Sequence, residues 1–512
     1  MHDSPAPGTP AEIARFKALQ AQLASRFEAF RADPKQPYTA VIVPSQSVDP
    51  VELAKIPGVA HYEERSLFNL MLLRQPRLRV VYVTSKRLDP LVVDYFLHQL
   101  RAVPSEHARR RLTLLDCDDA SSRPLTEKIL ERPRLVQRIR DAIPDPEHAH
   151  MGVFNATSLE RTLAVQLGIP LNACDPDLTH LGSKTGARRV FQRAGIAVSP
   201  GREDLRDSTD LAQALADLSA EVPEPRRVVV KLNESFSGEG NALLPLESLR
   251  PAPGQPIPLA VVREALPRLQ FEAEGLSWEN YRAQFDDMGG ICEGWLEGEK
   301  SSPSVQMRVN PAGEVQVIST HDQVLGGPSG QVFQGATFPA DASVRLELQR
   351  LGRRVGDELV REGVIGRFGV DFVTVAQPEG SPRVYALEIN LRAGGTTHPF
   401  NTLKFMTDGR FDEESGEFYT AQGHPRCYFA TDCLASPAYR GILPFDLLDR
   451  LVVEGIHFRA NDTGVMFHLL GCLSEYGKLG CLAIGETVAQ ARALHAEAVR
   501  LLDDLGRQGS PA

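Results

Sequence analysis

The chain has 512 residues, 42% of them hydrophobic and 7% aromatic, with a formal charge of −10 from 66 acidic and 56 basic residues. That length points to about three domains rather than one. The acidic balance, with no basic stripe, excludes a nucleic-acid binder, and no apolar run of about 18 residues predicts a membrane span.

The opening "MHDSPAPGTP" lacks the basic-then-apolar order of a signal peptide and reads as a short tail. Seven scattered cysteines form no CxxC pair, which argues against structural zinc and fits a reduced cytoplasm. Apolar residues at Ile13, Phe16, Leu19, Leu23, Phe27 and Phe30 predict one amphipathic helix over 11–31. Tail and helix together fill residues 1–37.

From 38 to 178 strands and helices alternate. "YTAVIVPS", "RVVYVTS", "RLTLLDC" and "HMGVFNAT" are the strand runs, with helical runs such as "LDPLVVDYFLHQL" between them. This order predicts a parallel sheet covered by helices. No GxGxxG follows the first strand, so the domain is Rossmann-like without the dinucleotide fingerprint.

Residues 179–405 carry glycine loops and hairpins. "SVQMRVNPAGEVQVIST" turns at 310–313, and "RFGVDFVTVAQPEGSPRVYALEINLR" turns near 379–380. Residues 406–512 end in the helical "ETVAQARALHAEAVRLLDDLG" and form a last segment.

The second hairpin is a chemical device. A symmetric register about 379–380 sets Asp371 opposite Glu388, Gly369 opposite Asn390 and Arg367 opposite Arg392, all on one face. Like charges directly opposed are unfavourable unless ligands lie between them. Asp371, Glu388 and Asn390 offer hard oxygens suited to Mg²⁺, and the arginines suit phosphate oxygens. A solvent-facing hairpin of mixed charge is the plainer alternative.

Upstream, "RRVVVKLNESFSGEGNALL" ends an apolar strand at Lys231 and continues into the loop 235–241, with Ser235, Ser237, Gly238 and Gly240. Such a loop lets backbone N–H groups approach phosphates, although a plain flexible turn is the commoner origin. "LGSKTGARRVF" holds Lys184 but is not a P-loop. "ICEGWLEGEK" places Glu293, Trp295 and Leu296 where an adenine slot could form, with Glu299 for a ribose; a buried Trp beside an acidic surface turn reads equally well.

The order of these pieces resembles the ATP-grasp superfamily: Lys184, Lys231 with its loop, "CEGWLEGE", "GVDF", then "EINLRAGGTTHP". "YEERSLFNLMLLRQP", "EINLRAGGTTHPF" and "GVMFHLLG" resemble peptide ligases of the pheganomycin type in particular. The resemblance implies an α/β chain: an ATP-grasp fold at 179–405, its lid at about 197–300, preceded by a Rossmann-like pre-ATP-grasp domain and followed by a small α/β C-terminal domain. It implies Lys184 and Lys231 on the phosphates of ATP, loop 235–241 as a lid, and Glu293, Trp295 and Leu296 around adenine. It further implies Asp371, Glu388 and Asn390 on Mg²⁺, and Arg392 on the transferring phosphoryl group; Arg367 joins it from the hairpin register. The long segment 244–290 and the sparse glycines of "SFSGEG" depart from the family pattern.

The implied activity joins a carboxylate to an amine, both small molecules such as amino acids or peptides, through an acyl phosphate. Another ATP-grasp phosphotransfer, by a kinase or carboxylase, and a non-catalytic ATP-binding protein are the alternatives. His398 and His321 are candidate bases for the amine, although a lone histidine is more often structural. A homodimer is left open.

Overall fold

The computed structural model describes residues 4–222, 226–234, 238, 240–252, 254–273, 275–326, 332–459 and 461–508. Ser235 and Ser237 lie outside them.

The apolar runs of the first third form β1 (Tyr38–Val43), β2 (Leu78–Thr84), β3 (Leu112–Asp116) and β4 (Ala149–Val153). All pair in parallel, in the order β3-β2-β1-β4. β1 is buried along its whole length, as expected of a strand covered on both faces. The crossover helices start where Asp-Pro pairs allow it: the Asp89 side chain accepts from Leu91 N at 2.8 Å, and Pro90 opens the helix Pro90–Leu97.

The single N-terminal helix read from the sequence is two, Pro10–Gln20 and Leu23–Ala32. The break serves two surfaces. Phe16 and Leu19 pack against Val41, Val43 and Val83 of the parallel sheet, while Phe27 and Phe30 face a cavity described below.

A second, antiparallel sheet holds β5 (Gly201–Leu205), β6 (Arg227–Leu232), β7 (Asn241–Pro245), β8 (Gln270–Phe271) and β9 (Gly290–Gly294), in the order β5-β9-β6-β7-β8. The long 244–290 segment is accounted for here. Its helices Leu259–Ala265 and Trp278–Met288 bury Val262, Tyr281 and Phe285 against this sheet.

Among the described residues the central sheet has nine strands. β10 (Lys300–Ser301), β11 (Pro303–Val309), β12 (Val315–Gly326), β13 (Val332–Phe338), β14 (Gly366–Val375) and β15 (Arg383–Asn390) come from the ATP-grasp-like region. After a small hairpin of β16 (Arg410–Asp412) and β17 (Glu417–Tyr419), the strands β18 (Cys427–Ala435), β19 (Gly464–His468) and β20 (Lys478–Gly485) extend the same sheet. The join is short: Ala336, Thr337 and Phe338 of β13 pair with Ala430, Phe429 and Tyr428. The C-terminal segment thus has no large sheet of its own among the described residues. Its Leu447, Leu451, Val465 and Phe467 also share one core with Ala40, Val80 and Tyr82 of the parallel sheet.

The β14–β15 register is as expected where it matters and different elsewhere. Asp371 faces Glu388 and Gly369 faces Asn390. Beyond Asp371 the pairing shifts, so that Phe372 faces Ala386 and Leu387 is left as a bulge. Arg392 lies past the end of β15, and Arg367 pairs instead with Arg308 of β11. The expected Arg367–Arg392 opposition is therefore absent.

"YEERSLFNLMLLRQP" winds as a 3₁₀ helix, Val59–Arg74. Residues three apart align on such a helix, which sets Tyr62, Arg65 and Phe68 along one side. Glu63, on another side, is buried and accepts from both the backbone N and the Oγ of Ser85 at 2.6 Å. Burial raises its pKa from 4.5 to about 7 against those hydrogen bonds. A carboxyl raised on folding contributes stability below its unfolded pKa and loses it as pH rises through the folded one. Urea unfolding of wild type and Glu63→Gln should therefore diverge between about pH 4.5 and 7, with the wild type losing on the order of 3 kcal/mol relative to the variant. A constant difference across that range would contradict this reading of Glu63.

Candidate active site

The site lies where the three sheets meet. Ser183 caps the helix Lys184–Arg193 by accepting from Gly186 N at 3.0 Å. The helix start is tied to the end of β6: Lys184 N donates to Asn233 O at 3.1 Å and Thr185 N to Asn233 Oδ1 at 3.0 Å. Lys184 is thereby aimed at Glu388, with which its ammonium forms an ion pair. Burial works against that ammonium, but Glu388, Asp371 and Glu293 together hold its pKa above the ordinary value.

Asp371, Glu388 and Asn390 converge as their register requires. Asn390 Nδ2 is 3.0 Å from Asp371 Oδ2 and 3.2 Å from Glu388 Oε1, and Gln323 Nε2 donates to Asp371 Oδ1 at 2.8 Å. Lys184 chiefly holds the Glu388 carboxyl well below the carboxylate range. Burial, with Glu388 beside it, pushes Asp371 well above it. Two half-buried carboxylates this close do not both ionise easily without added positive charge. Three hard-oxygen side chains around that point fit Mg²⁺, which would neutralise the pair and bridge phosphate oxygens.

One turn after Lys184, Arg188 lies on the same helix face. Its guanidinium pairs with Glu293 and, at 3.0 Å, with Glu203. Glu293 in turn holds Lys231, with Oε2 and Nζ 2.7 Å apart. Burial opposes the Glu293 charge, but Lys231 and Arg188 keep its pKa low. The Glu293 carboxylate is thus committed to two cations and is not the free wall of a purine slot that the sequence suggested. Trp295 is half-buried, its ring 4.0 Å from Lys300 Nζ and 5.1 Å from the Arg227 guanidinium. Leu296 is half-buried and Glu299 exposed. Gly238 has a φ of +82°, a left-handed turn suited to glycine, and Gly240 O accepts from Leu232 N at 3.1 Å.

Beyond β15 the chain turns into "RAGGTTHPF". Ala393 N donates to Phe154 O at 2.9 Å, which ties this loop to the N-terminal domain. Arg392 lies 5.8 Å and Arg65 5.5 Å from the Phe154 ring centre. Burial lowers the Arg392 pKa, and Glu388 and Asp371 oppose that from nearby. Arg392, Arg65, Arg367 and His398 all line a cavity of about 330 Å³ between the N-terminal domain and the central sheet. That volume is at the small end for small-molecule sites.

His398 has partners that no local motif signalled. Asp432 Oδ1 is 3.1 Å from His398 Nε2 and 2.5 Å from His468 Nε2, and the two Nε2 atoms are 3.1 Å apart. Arg65 Nη1 takes the other Asp432 oxygen at 2.9 Å. Burial opposes the Asp432 charge, but His398, His468 and Arg65 outweigh it. Burial lowers His398 to about 4, so it is a neutral imidazole at neutral pH. Gly480 is required here, because a Cβ would fall 2.0 Å from His468 Nε2. In the sequence His398 stands as a candidate by itself, His468 lies within "GVMFHLLG", and Asp432 lies in no motif. His321 is elsewhere: it is fully buried, 2.7 Å from the Tyr428 hydroxyl, and reads as a core histidine.

Comparison with known proteins agrees with this architecture. The biotin carboxylase–βγ-ATP complex from Campylobacter jejuni superposes with a TM-score of 0.56 at 13% identity, covering 93% of this chain and 95% of that one. An ADP complex of the N5-carboxyaminoimidazole ribonucleotide synthetase purK gives 0.51 at 12% identity, covering 92% and 98%. These share the ATP-grasp fold. In sequence, the family described as "IQCH-like, ATP-grasp" matches residues 176–254 and 266–414, and "PGM1 C-terminal domain" matches 446–498. An L-propargylglycine–L-glutamate ligase of Streptantibioticus cattleyicolor is 32% identical over 445 residues, 85% of this chain and 88% of the relative. The IQ motif-containing protein H of Danio rerio is 26% identical over 72% of this chain, which spans 39% of that protein. The chain belongs to the ATP-grasp family.

Two substitutions test the site. Glu388→Gln should lower turnover by roughly a thousandfold or more while leaving the circular dichroism spectrum unchanged; near-normal activity would remove Glu388 from the metal set. Arg188→Met leaves Glu293 with one cation and should destabilise the fold by about 3 kcal/mol in urea unfolding, with no loss expected if Arg188 only decorates a surface.

Proposed function

We propose that this protein is an ADP-forming carboxylate–amine ligase that joins two amino acids or an amino acid and a peptide, using ATP and Mg²⁺. The observation that carries the reading is Arg392, which sits within the field of the Asp371–Glu388 pair and also lines the cavity. One guanidinium thus faces both the phosphoryl end and the substrate end. The Streptantibioticus relative is named for joining two amino acids, one of them acidic, and this chain is given substrates of that class.

Lys184 and Lys231 hold phosphate oxygens as point charges, Lys231 being steadied by Glu293. Asp371, Glu388 and Asn390 hold Mg²⁺, which supplies charge neutralisation between nucleotide and substrate. Trp295 and Leu296 border the base, and Glu299 the ribose. The substrate carboxylate attacks the γ-phosphorus, the bond to ADP breaks, and an acyl phosphate forms. Arg392 stabilises the charge on the transferred group, which needs positioning and electrostatics more than a protein nucleophile. The amine then attacks the acyl carbon, phosphate leaves, and the amine's surplus proton passes to neutral His398. Asp432 orients that imidazole and stabilises its charged form.

ADP release over many turnovers should require both a carboxylate and an amine. ADP with a stable phosphorylated product and no amine would point to a kinase, and no ADP with a broad amino-acid panel to a binding protein. Asp432→Asn should cut kcat by on the order of a hundredfold with KM for ATP unchanged, and part of the loss should return at high pH, where the amine deprotonates unaided. A loss equal at all pH values would make Asp432 merely structural.

A further inference from the structure

Arg308 and Arg367 are not used by the chemistry above. They stand directly opposite each other on β11 and β14, and both line the cavity. Like charges so placed destabilise a sheet unless something lies between or before them. Arg367 donates to the neutral Asn401 Oδ1 at 3.1 Å, and Arg308 lies 5.6 Å from the Phe27 ring centre. Among the described residues neither has a carboxylate within ion-pair distance, in a chain with 66 acidic residues. The other two cavity arginines are committed: Arg65 to Asp432, and Arg392 to the field of Asp371 and Glu388. His150, on the same wall, is neutral, held at about 4 by burial with Arg308 adding to it. Among the described residues no acidic side chain lines the cavity.

We infer that Arg308 and Arg367 form a subsite that takes the carboxylate of the amine-bearing amino acid substrate. This rests on the ligase reading and extends it. Two guanidiniums side by side present paired donors to a carboxylate. The subsite is distinct from the phosphate end: Arg367 and Asp371 are four residues apart on one strand, about 13 Å. An amino acid held there by its carboxylate projects its amine toward Arg392 and His398. The same anchoring keeps that carboxylate from being phosphorylated in place of the intended one. Phe27 and Phe30, from the second N-terminal helix, close the wall beside it.

Calorimetric titration of the whole protein at saturating MgADP tests this, with L-glutamate and its diamide, which keeps the amino group and lacks both carboxylates, as probes. Wild type should bind L-glutamate at least tenfold more tightly than the diamide. Arg308→Gln should lose that preference, and Arg308→Lys should retain most of it. Equal binding of the two probes by wild type, or an intact preference in Arg308→Gln, would overturn the subsite. Inorganic phosphate that displaces L-glutamate but not MgADP would show a phosphate site and also overturn it. MgADP is titrated separately into wild type: if it fails to bind, the ligase reading falls, whereas normal MgADP binding with no glutamate preference removes the subsite alone.

Discussion

The site depends on one uncomfortable contact, the opposition of Asp371 and Glu388 across β14 and β15. Two half-buried carboxylates facing each other cost free energy, and the surroundings are arranged to offset it. Lys184 reaches Glu388 from a helix whose start is tied to β6, and Asn390 and Gln323 donate to the pair. A second pairing repeats the logic at Glu293, held between Lys231 and Arg188. Lys184 and Arg188 share one helix face, so a single helix serves both carboxylate centres. Magnesium and nucleotide phosphates are the ligands such a balance of charge accommodates.

Sheet continuity explains how the C-terminal fifth of the chain reaches the site. β18 adds to β13 through three residue pairs, and β19 and β20 follow. That extension carries Asp432 and His468 to His398, which enters from the helix Thr397–Thr407. Their neighbours Phe405, Val465 and Phe467 pack against the N-terminal parallel sheet. The C-terminal domain thus shares one hydrophobic core with the N-terminal sheet, while a second core packs β14 and β15.

What was legible in the sequence was local or short in range. Strand–helix alternation marked the parallel sheet, and one hairpin turn placed Asp371 opposite Glu388. What was hidden depended on pairing between distant segments. The bulge at Leu387 shifts the pairs between the turn and the site by one residue, and β15 ends at Asn390, so the expected pairing does not reach Arg392. Arg367 found Arg308, on a strand about 60 residues earlier, because β14 lies between β11 and β15. Glu293 looked like a ligand-facing acid because neither Arg188 nor Lys231 is near it in sequence. The break between the first two helices carries no glycine or proline, and tertiary packing on two surfaces sets it.

The central claim is that a substrate carboxylate takes the γ-phosphoryl group before an amine displaces it. Labelling both oxygens of that carboxylate with heavy oxygen tests it most directly, with the released inorganic phosphate analysed by mass spectrometry. The account requires one labelled oxygen in each phosphate released and one retained in the amide. Unlabelled phosphate alongside amide product would contradict it.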